Sequence, residues 1–489
     1  MFAIISFFFM SVSFGAESAP VLTYEAALLE AIESNAELRR ASYTLDTARA
    51  DVLASKAIFD PSLNLSGSYS WDRNKSFFQG IPYDIKNRMT SGSLGIGGAL
   101  ASGTSYDLST AYFRNYGEYA NLLAGDNPEF GTFVQDEFRA SLSGSVTQQL
   151  LKGHRFAYNM QPLNMARQGL AISELGFEQT RQSVLSTTAQ AYWNWVYQFQ
   201  LLELRRRAVI VSTEALRIGK LKAESGDLAP IEVTRLAAAL IQDQSTEIET
   251  ENAVYQAKNA LLLAMGKPPG REIHPGQTEV NVAQLELDVQ TAVDAAMQQN
   301  LELLIQRANV ENAQLSLKMS KHALLPSLSA TFSAGLGSQN TSVGKAFAGL
   351  FQDERFPNLS VGGQFSMPIG NRAARGDRRK SEAALGTQRV SLLELEQNIA
   401  VQVAQQVQVL NSARKRVELA DINVQLAEQT LVAEEASAEL GRAIQKDVLE
   451  SRNNLDSARV EAVKSRTDYQ LAIVELQRLQ GQLSVPGGP

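Results

Sequence analysis

Three carboxylates occupy the chemically most pointed positions of this chain. Glu232 stands just past Gly226, and Asp447 and Glu450 stand just past Gly441, where long apolar-periodic segments must reverse. Glycine takes the left-handed conformation at a helix C-cap without penalty, so each glycine is expected to close one helix before the next begins. Asp447 and Glu450 are three positions apart and share a helix face. Carboxylates so placed complement the positive end of a helix dipole, or present negative charge to passing cations. Catalysis is not their chemistry. No nucleophile–base constellation, phosphate loop or metal cluster accompanies them. The histidines at 154, 274 and 322 lack metal-ligand spacing. No enzyme activity and no cofactor are expected.

Composition narrows the class further. The 489 residues include no cysteine, which removes disulfides, thiolate metal sites and cysteine nucleophiles, and suits either redox compartment. A formal charge of −7 argues against nucleic acid, whose phosphates need clustered cations. Ile4 to Val12 is an apolar run too short to span a bilayer, and small residues and a polar start follow it, so 1–16 reads as a secretory signal peptide. That run has no Lys or Arg before it.

The helical stretches are long. Between about Arg372 and Leu440 there is no proline, and Ile399, Val403, Val407, Leu410, Ala413, Val417, Ala420 and Val424 step by threes and fours, the spacing of coiled-coil packing. At 1.5 Å per residue such a helix reaches roughly 100 Å. A counterpart near Pro162 to Ser225 carries Tyr192, Trp195, Phe199 and Leu202, an aromatic stripe that reads as packing rather than a binding box. The cations Arg372, Arg375, Arg378, Arg379 and Lys380 open the longest helix, as a membrane-proximal band or a solvated face.

Between the helices the period changes to two. Leu63, Leu65, Gly67, Tyr69 and Trp71 alternate with serines and an asparagine, and Phe138–Val146, Leu328–Leu336 and Leu359–Met367 repeat the pattern. Two further strands, 93–100 and 104–113, flank a tight turn at 101–103. Ten-residue segments, apolar on one face and small or polar on the other, mark a transmembrane β-barrel; a soluble antiparallel sheet with one wet face is the alternative. The gaps 72–92, 114–136 and 337–357 read as long outer loops, giving four crossings in the first half and two in the second. Pro61, Pro326 and Pro368 mark the helix–strand junctions, because the residue before proline resists the α region.

The chain also repeats itself. Leu22, Ala27, Asn35, Leu38 and Pro61 recur at one constant offset as Leu287, Ala292, Asn300, Leu303 and Pro326, without a gap. One unit is therefore built twice. The first repeat is 17–266, with a helix over 22–60, strands within 61–151 and long helices over 157–225 and 229–265. A linker over 267–286 leads to the second repeat, 287–481, with a helix over 287–325, strands within 326–369 and long helices over 371–440 and 444–480. Residues 482–489 form a tail.

With Gly441-Arg442-Ala443-Ile444-Gln445-Lys446-Asp447-Val448-Leu449, Gly226-Asp227-Leu228-Ala229-Pro230, the two Pro-Ser-Leu junctions and Ala191-Tyr192-Trp193-Asn194, the chain resembles the TolC family of outer-membrane efflux proteins over nearly all of its length from residue 20. The resemblance implies an α+β membrane protein: a homotrimer whose strands pool into one antiparallel β-barrel in outer-membrane lipid, above an antiparallel coiled-coil α-helical barrel in the periplasm. It implies a passive duct of a tripartite efflux pump or type I secretion system. Its partners are then a periplasmic adaptor (membrane fusion) protein and an inner-membrane pump of RND, ABC or MFS type. Gly226, Asp227, Gly441 and Arg442 take the adaptor-docking tips. Asp447 and Glu450 match the family's selectivity ring, and Glu232 an acid of its closed gate. Ala438 and Ala443 replace the gate tyrosine and arginine, which leaves other contacts, such as Arg442 with Glu232, to close the tip. The family pattern is four strands per protomer, against six here. Twelve helices about 10 Å apart enclose roughly 120 Å, and eighteen tilted strands enclose about 110 Å, so six strands fit the tunnel; the alternative is a twelve-strand barrel with the 93–113 hairpin as an accessory outside it. The competing reading is a secreted coiled-coil scaffold that transports nothing.

Overall fold

The structure is a computed structural model describing residues 20–78, 81–120, 132–226, 228–276, 288–353, 355–440 and 445–485. The signal segment, residues 277–287 and the tip residues Asp227, Gly441, Arg442 and Ala443 lie outside the described residues. In chain order the helices are α1 (Tyr24–Ser34), α2 (Ala36–Lys56), α3 (Phe156–Asn159), α4 (Gln161–Glu224), α5 (Pro230–Ala264), α6 (Val289–Gln299), α7 (Leu301–His322), α8 (Val343–Gly349), α9 (Arg372–Glu439) and α10 (Gln445–Leu479). The strands are β1 (Val21–Leu22), β2 (Ser62–Phe78), β3 (Ile81–Ala99), β4 (Thr104–Ala120), β5 (Thr132–Gln149), β6 (His274–Pro275), β7 (Ser327–Asn340) and β8 (Phe356–Ser366). Two compact units result, one with residues up to Asp46, Ile172–Arg307 and Val390 onward, the other with Thr47–Ala171 and Ala308–Arg389.

The first unit is helical and holds two related cores. Tyr192, Trp195 and Val196 of α4 pack with Ala27 and Ala31 of α1, Leu261 and Leu262 of α5, and Met265 at the C-cap of α5. Ile399, Val403, Val407 and Leu410 of α9 pack with Ala292 and Ala296 of α6 and Tyr469 and Leu476 of α10. A third cluster joins the repeats: Leu28 and Leu185 meet Val474 and the tail residues Leu483 and Val485. Part of the expected tail is thus core. The aromatic stripe is core as well, and burial beside it pushes the Tyr24 hydroxyl up to about 12.

The helices expected over 22–60 and 287–325 are each broken, and at the same place in the repeat. Asn35 and Asn300 leave the helix with ψ of 129° and 122°. The Asn35 side chain accepts from the Glu37 N–H at 2.7 Å and donates to the Ala264 carbonyl at 2.8 Å. Asn300 accepts from the Leu303 N–H at 3.1 Å and donates to the Leu479 carbonyl at 2.9 Å. One side chain therefore caps a new helix and satisfies the end of another. The helix ends that receive them close on Gly266 and Gly481, with φ of +72° and +70°. Lys267 N–H to Leu262 O and Gln482 N–H to Gln477 O, both 2.8 Å, complete Schellman motifs. Backbone passes so near that a Cβ on Gly266 would lie 2.6 Å from the Ser34 carbonyl, and one on Gly481 would strike that of Gln299.

The second unit is built on a six-stranded antiparallel sheet in the order β2-β3-β4-β5-β7-β8. The hairpin β3–β4 lies inside this sheet, not beside it. The supposed outer loops are largely strand. β2 and β3 pair through to Phe78 and Ile81, β4 and β5 through to Ala120 and Thr132, and the gap 337–357 contains the end of β7, helix α8 and the start of β8. Polarity misled the sequence reading there, because the backbone ladder runs on beneath charged side chains. Opposite charges pair across it: Arg73 with Asp84, Lys86 with Glu118 at 2.9 Å, and Arg114 with Asp136 through two 2.9 Å bonds. α8 folds back on the sheet, burying Ala346 and Leu350 against Ala140, with Leu336 beside them.

The two classes of glycine separate experimentally. Gly226→Ala, at φ +84° with open space around it, should cost about 1–2 kcal/mol from backbone strain alone. Gly481→Ala adds a collision with the Gln299 carbonyl. Urea midpoints of the full-length protein should fall in the order wild type, Gly226→Ala, Gly481→Ala.

Candidate functional site

Strand alternation gives the sheet two unlike faces. One carries Leu63, Leu65, Trp71, Leu94, Leu108, Val146, Phe332, Leu359 and Val361, all exposed, with Leu65 at 82% and Val361 at 77%. The other is a field of hydroxyls that bond to each other across strands: Ser66 to Ser93 at 2.7 Å, Ser68 to Ser91 at 2.8 Å, Ser109 to Ser143 at 3.1 Å, Thr147 to Thr331 at 3.0 Å and Ser333 to Ser360 at 2.6 Å. Small polar side chains leave that face wettable and sterically open. β2 and β8 are the sheet's two edges, and every residue of β8 is exposed.

Pro61, Pro326 and Pro368 lie in the short connections between helical and strand segments. Asp60, before Pro61, is extended at ψ 135°, and Pro326 immediately precedes β7. Past Pro368 the chain turns through Gly370 at φ +82° and Asn371 at φ +40°, and the Asn371 side chain donates to the Leu324 carbonyl at 3.3 Å. That bond ties the start of α9 to the end of α7.

At the first tip, Gly226 ends α4, and the Leu228 N–H reaches back to the Lys222 carbonyl at 3.1 Å. Pro230 opens α5 with its φ already helical. Glu232 lies in the first turn of α5, where Arg235 donates to its Oε1 at 2.7 Å. Its Oε2 is buried without a partner among the described residues. The expected contact with Arg442 falls outside the described residues, and the described partner is Arg235, one turn along the same helix. At the second tip, Asp447 is half-buried in the first turn of α10, Val448 is buried, and Glu450 is exposed.

Each hairpin holds one antiparallel register. Arg452, Arg459 and Arg466 of α10, seven apart, meet Glu435 at 3.4 Å and Glu428 and Asp421 at 2.8 Å on α9, also seven apart. In the other hairpin Ser212 donates to Asp243, and one heptad away Gly219 leaves room for the buried Leu236. The sequence reading missed both, although the heptad spacing of the arginines and acids was there to count. Asp456 of α10 is half-buried near this register. Burial raises its pKa, Arg459 opposes the shift, Asp243 adds to it, and Arg205 and Arg452 oppose it.

Residues 292–482 match the family model described as outer membrane efflux protein. The outer membrane protein TolC of Salmonella enteritidis is 21% identical over 327 residues, which span 66% of this chain and 66% of TolC. Two solved folds are similar along nearly the whole chain. A membrane protein from Pseudomonas aeruginosa has a TM-score of 0.68 at 16% identity, covering 96% of this chain and 93% of that one. The outer membrane protein VceC from Vibrio cholerae has a TM-score of 0.67 at 16% identity, covering 94% and 96%. The fold is that of outer-membrane channel proteins. The match to the outer membrane efflux protein family is confined to residues 292–482, and the chain spans just under two thirds of the length of TolC.

Asp456 provides a pH test of the hairpin packing. Its folded-state pKa lies above the unfolded value, so its ionised form weakens the fold at neutral pH and its protonated form does not. Asp456→Asn should be more stable than wild type at pH 7. The difference should vanish below about pH 4, when both chains are neutral there. Denaturant midpoints against pH measure it.

Proposed function

We propose that the protein is a passive export duct: three copies pool their sheets into one closed barrel in the outer membrane, and their helical hairpins line a tunnel in the periplasm. The observation carrying this reading is the sheet itself, apolar on one exposed face, hydroxyl-lined on the other, and open at both edges. Open edges are not tolerated in hydrocarbon, and a single protomer cannot close a pore, so symmetry must supply the missing neighbours. Six strands in one continuous sheet favour a barrel of about eighteen strands over about twelve. Exposed apolar residues on the helices, including Ile241, Ile248 and Tyr255 at heptad spacing on α5, fit the same assembly.

A duct with no energy source of its own needs a pump. An inner-membrane transporter, coupled through a periplasmic adaptor at the tips around Gly226 and Gly441, provides it. Cargo choice then lies upstream, and small molecules or polypeptides suit a wide hydroxyl-lined wall equally. Asp447, Glu450 and Glu232 become rings of three under threefold symmetry and favour cations at the narrow end. Arg235 neutralises part of the Glu232 ring, which leaves Asp447 and Glu450 as the main filter. Asp447→Asn with Glu450→Gln should lower cation selectivity several-fold in planar-bilayer reversal potentials. Unchanged selectivity would remove the ring assignment.

A further inference from the structure

The outward end of the apolar sheet face carries charge as well as aromatic rings. Register places Trp71 opposite Arg88 and Arg88 opposite Tyr116, then Arg73 opposite Lys86 and Lys75 opposite Asp84 one and two steps further out. All of these share the face of Leu65. The Arg88 guanidinium lies 5.5 Å from the Tyr116 ring centre, and that of Arg114 lies 4.9 Å from the Phe138 ring. The aromatic row therefore ends in a row of cations. Among the described residues Arg73, Lys86 and Arg114 are each bonded to a carboxylate, whereas Arg88 and Lys75 form no ion pair. Two cations are in surplus on one strand pair. α8 packs against the same face, leaving Phe351 exposed beside it.

We propose that this strip, centred on Arg88 and Lys75, holds the phosphate of a lipid headgroup in the outer leaflet. The inference rests on the duct reading, which puts this face in lipid. Aromatic rings settle at the level where hydrocarbon gives way to headgroups, and long cationic side chains just above them reach the phosphates. The guanidinium of Arg88 offers paired donors that match phosphate oxygens. The paired carboxylates limit the site to the surplus charge, so the ligand is a phosphorylated headgroup and not a broad anionic polymer. Bound lipid would also cover the seam between α8 and the sheet.

Native mass spectrometry of the detergent-solubilised full-length protein tests the site with three probes: a diphosphorylated glycolipid, the same lipid without phosphates, and inorganic phosphate. Wild type should retain the diphosphorylated lipid, and Arg88→Gln with Lys75→Gln should weaken that binding roughly ten- to thirtyfold. Equal affinity for the two lipids, or equal affinity of wild type and variant, overturns the proposal. Inorganic phosphate bound as tightly as the lipid overturns it too, by showing a site for a free anion. Conductance of the same preparations keeps the two readings apart. Wild type and variant that conduct alike without phosphate discrimination refute only the lipid site, whereas failure of wild type to insert refutes the duct.

Discussion

An unpaired strand edge governs this molecule. β2 and β8 each present backbone donors and acceptors along one side, and each such group left bare in hydrocarbon costs several kcal/mol. The apolar face of the sheet needs lipid or another apolar surface, while its edges forbid lipid unless they are paired. In lipid, such a sheet would be finished only by another sheet. The serine and threonine ladders follow from the same demand. They occupy the face that closure would turn inward, and they satisfy one another without bulk that would fill the space. A secreted scaffold would have no use for leucines, valines and a tryptophan exposed in rows on one side.

The helical unit answers a different problem, that of building a long wall from one repeat used twice. Each copy makes its own core, around Tyr192 and Trp195 in one and Val403 and Tyr469 in the other, and the stitch through Leu28, Leu185 and Val474 joins them. The asparagine clamps do the fine work. Asn35 and Asn300 each satisfy the last carbonyls of a long helix while starting a shorter one. The glycines that close those helices let two backbones pass where no side chain fits. The motif appears in both copies because both helix ends have the same unmet hydrogen bonds.

Much of this was legible in the residues. Alternation at Leu63–Trp71 and Leu328–Leu336 identified strands, and steps of three and four from Ile399 to Val417 identified a buried helical stripe, because burial imposes a period. What lay beyond the apolar pattern was harder to read. The outer halves of β2 to β5 are written in Arg, Lys, Asp and Glu, and their order comes from a backbone ladder that leaves no trace in hydropathy. The breaks at Asn35 and Asn300 were hidden for another reason. An asparagine mid-helix is unremarkable until its partner, more than two hundred residues away in one case, is in place. At the candidate site Gly226, Glu232, Asp447 and Glu450 were visible as types and spacings. Arg235 as the partner of Glu232 was not, since several cations could have competed for it.

The arginine ladder between α9 and α10 has a built-in ambiguity. Its rungs recur every seven residues on both helices, so a slide of one helix past the other by a single heptad would re-form two of the three ion pairs. The charges therefore act as a ruler with identical marks, able to hold the hairpin at discrete settings but unable to tell one setting from the next. The zero of that ruler is fixed elsewhere, at Asn300 and Gly481, where one side-chain amide and one missing methyl group admit a single alignment.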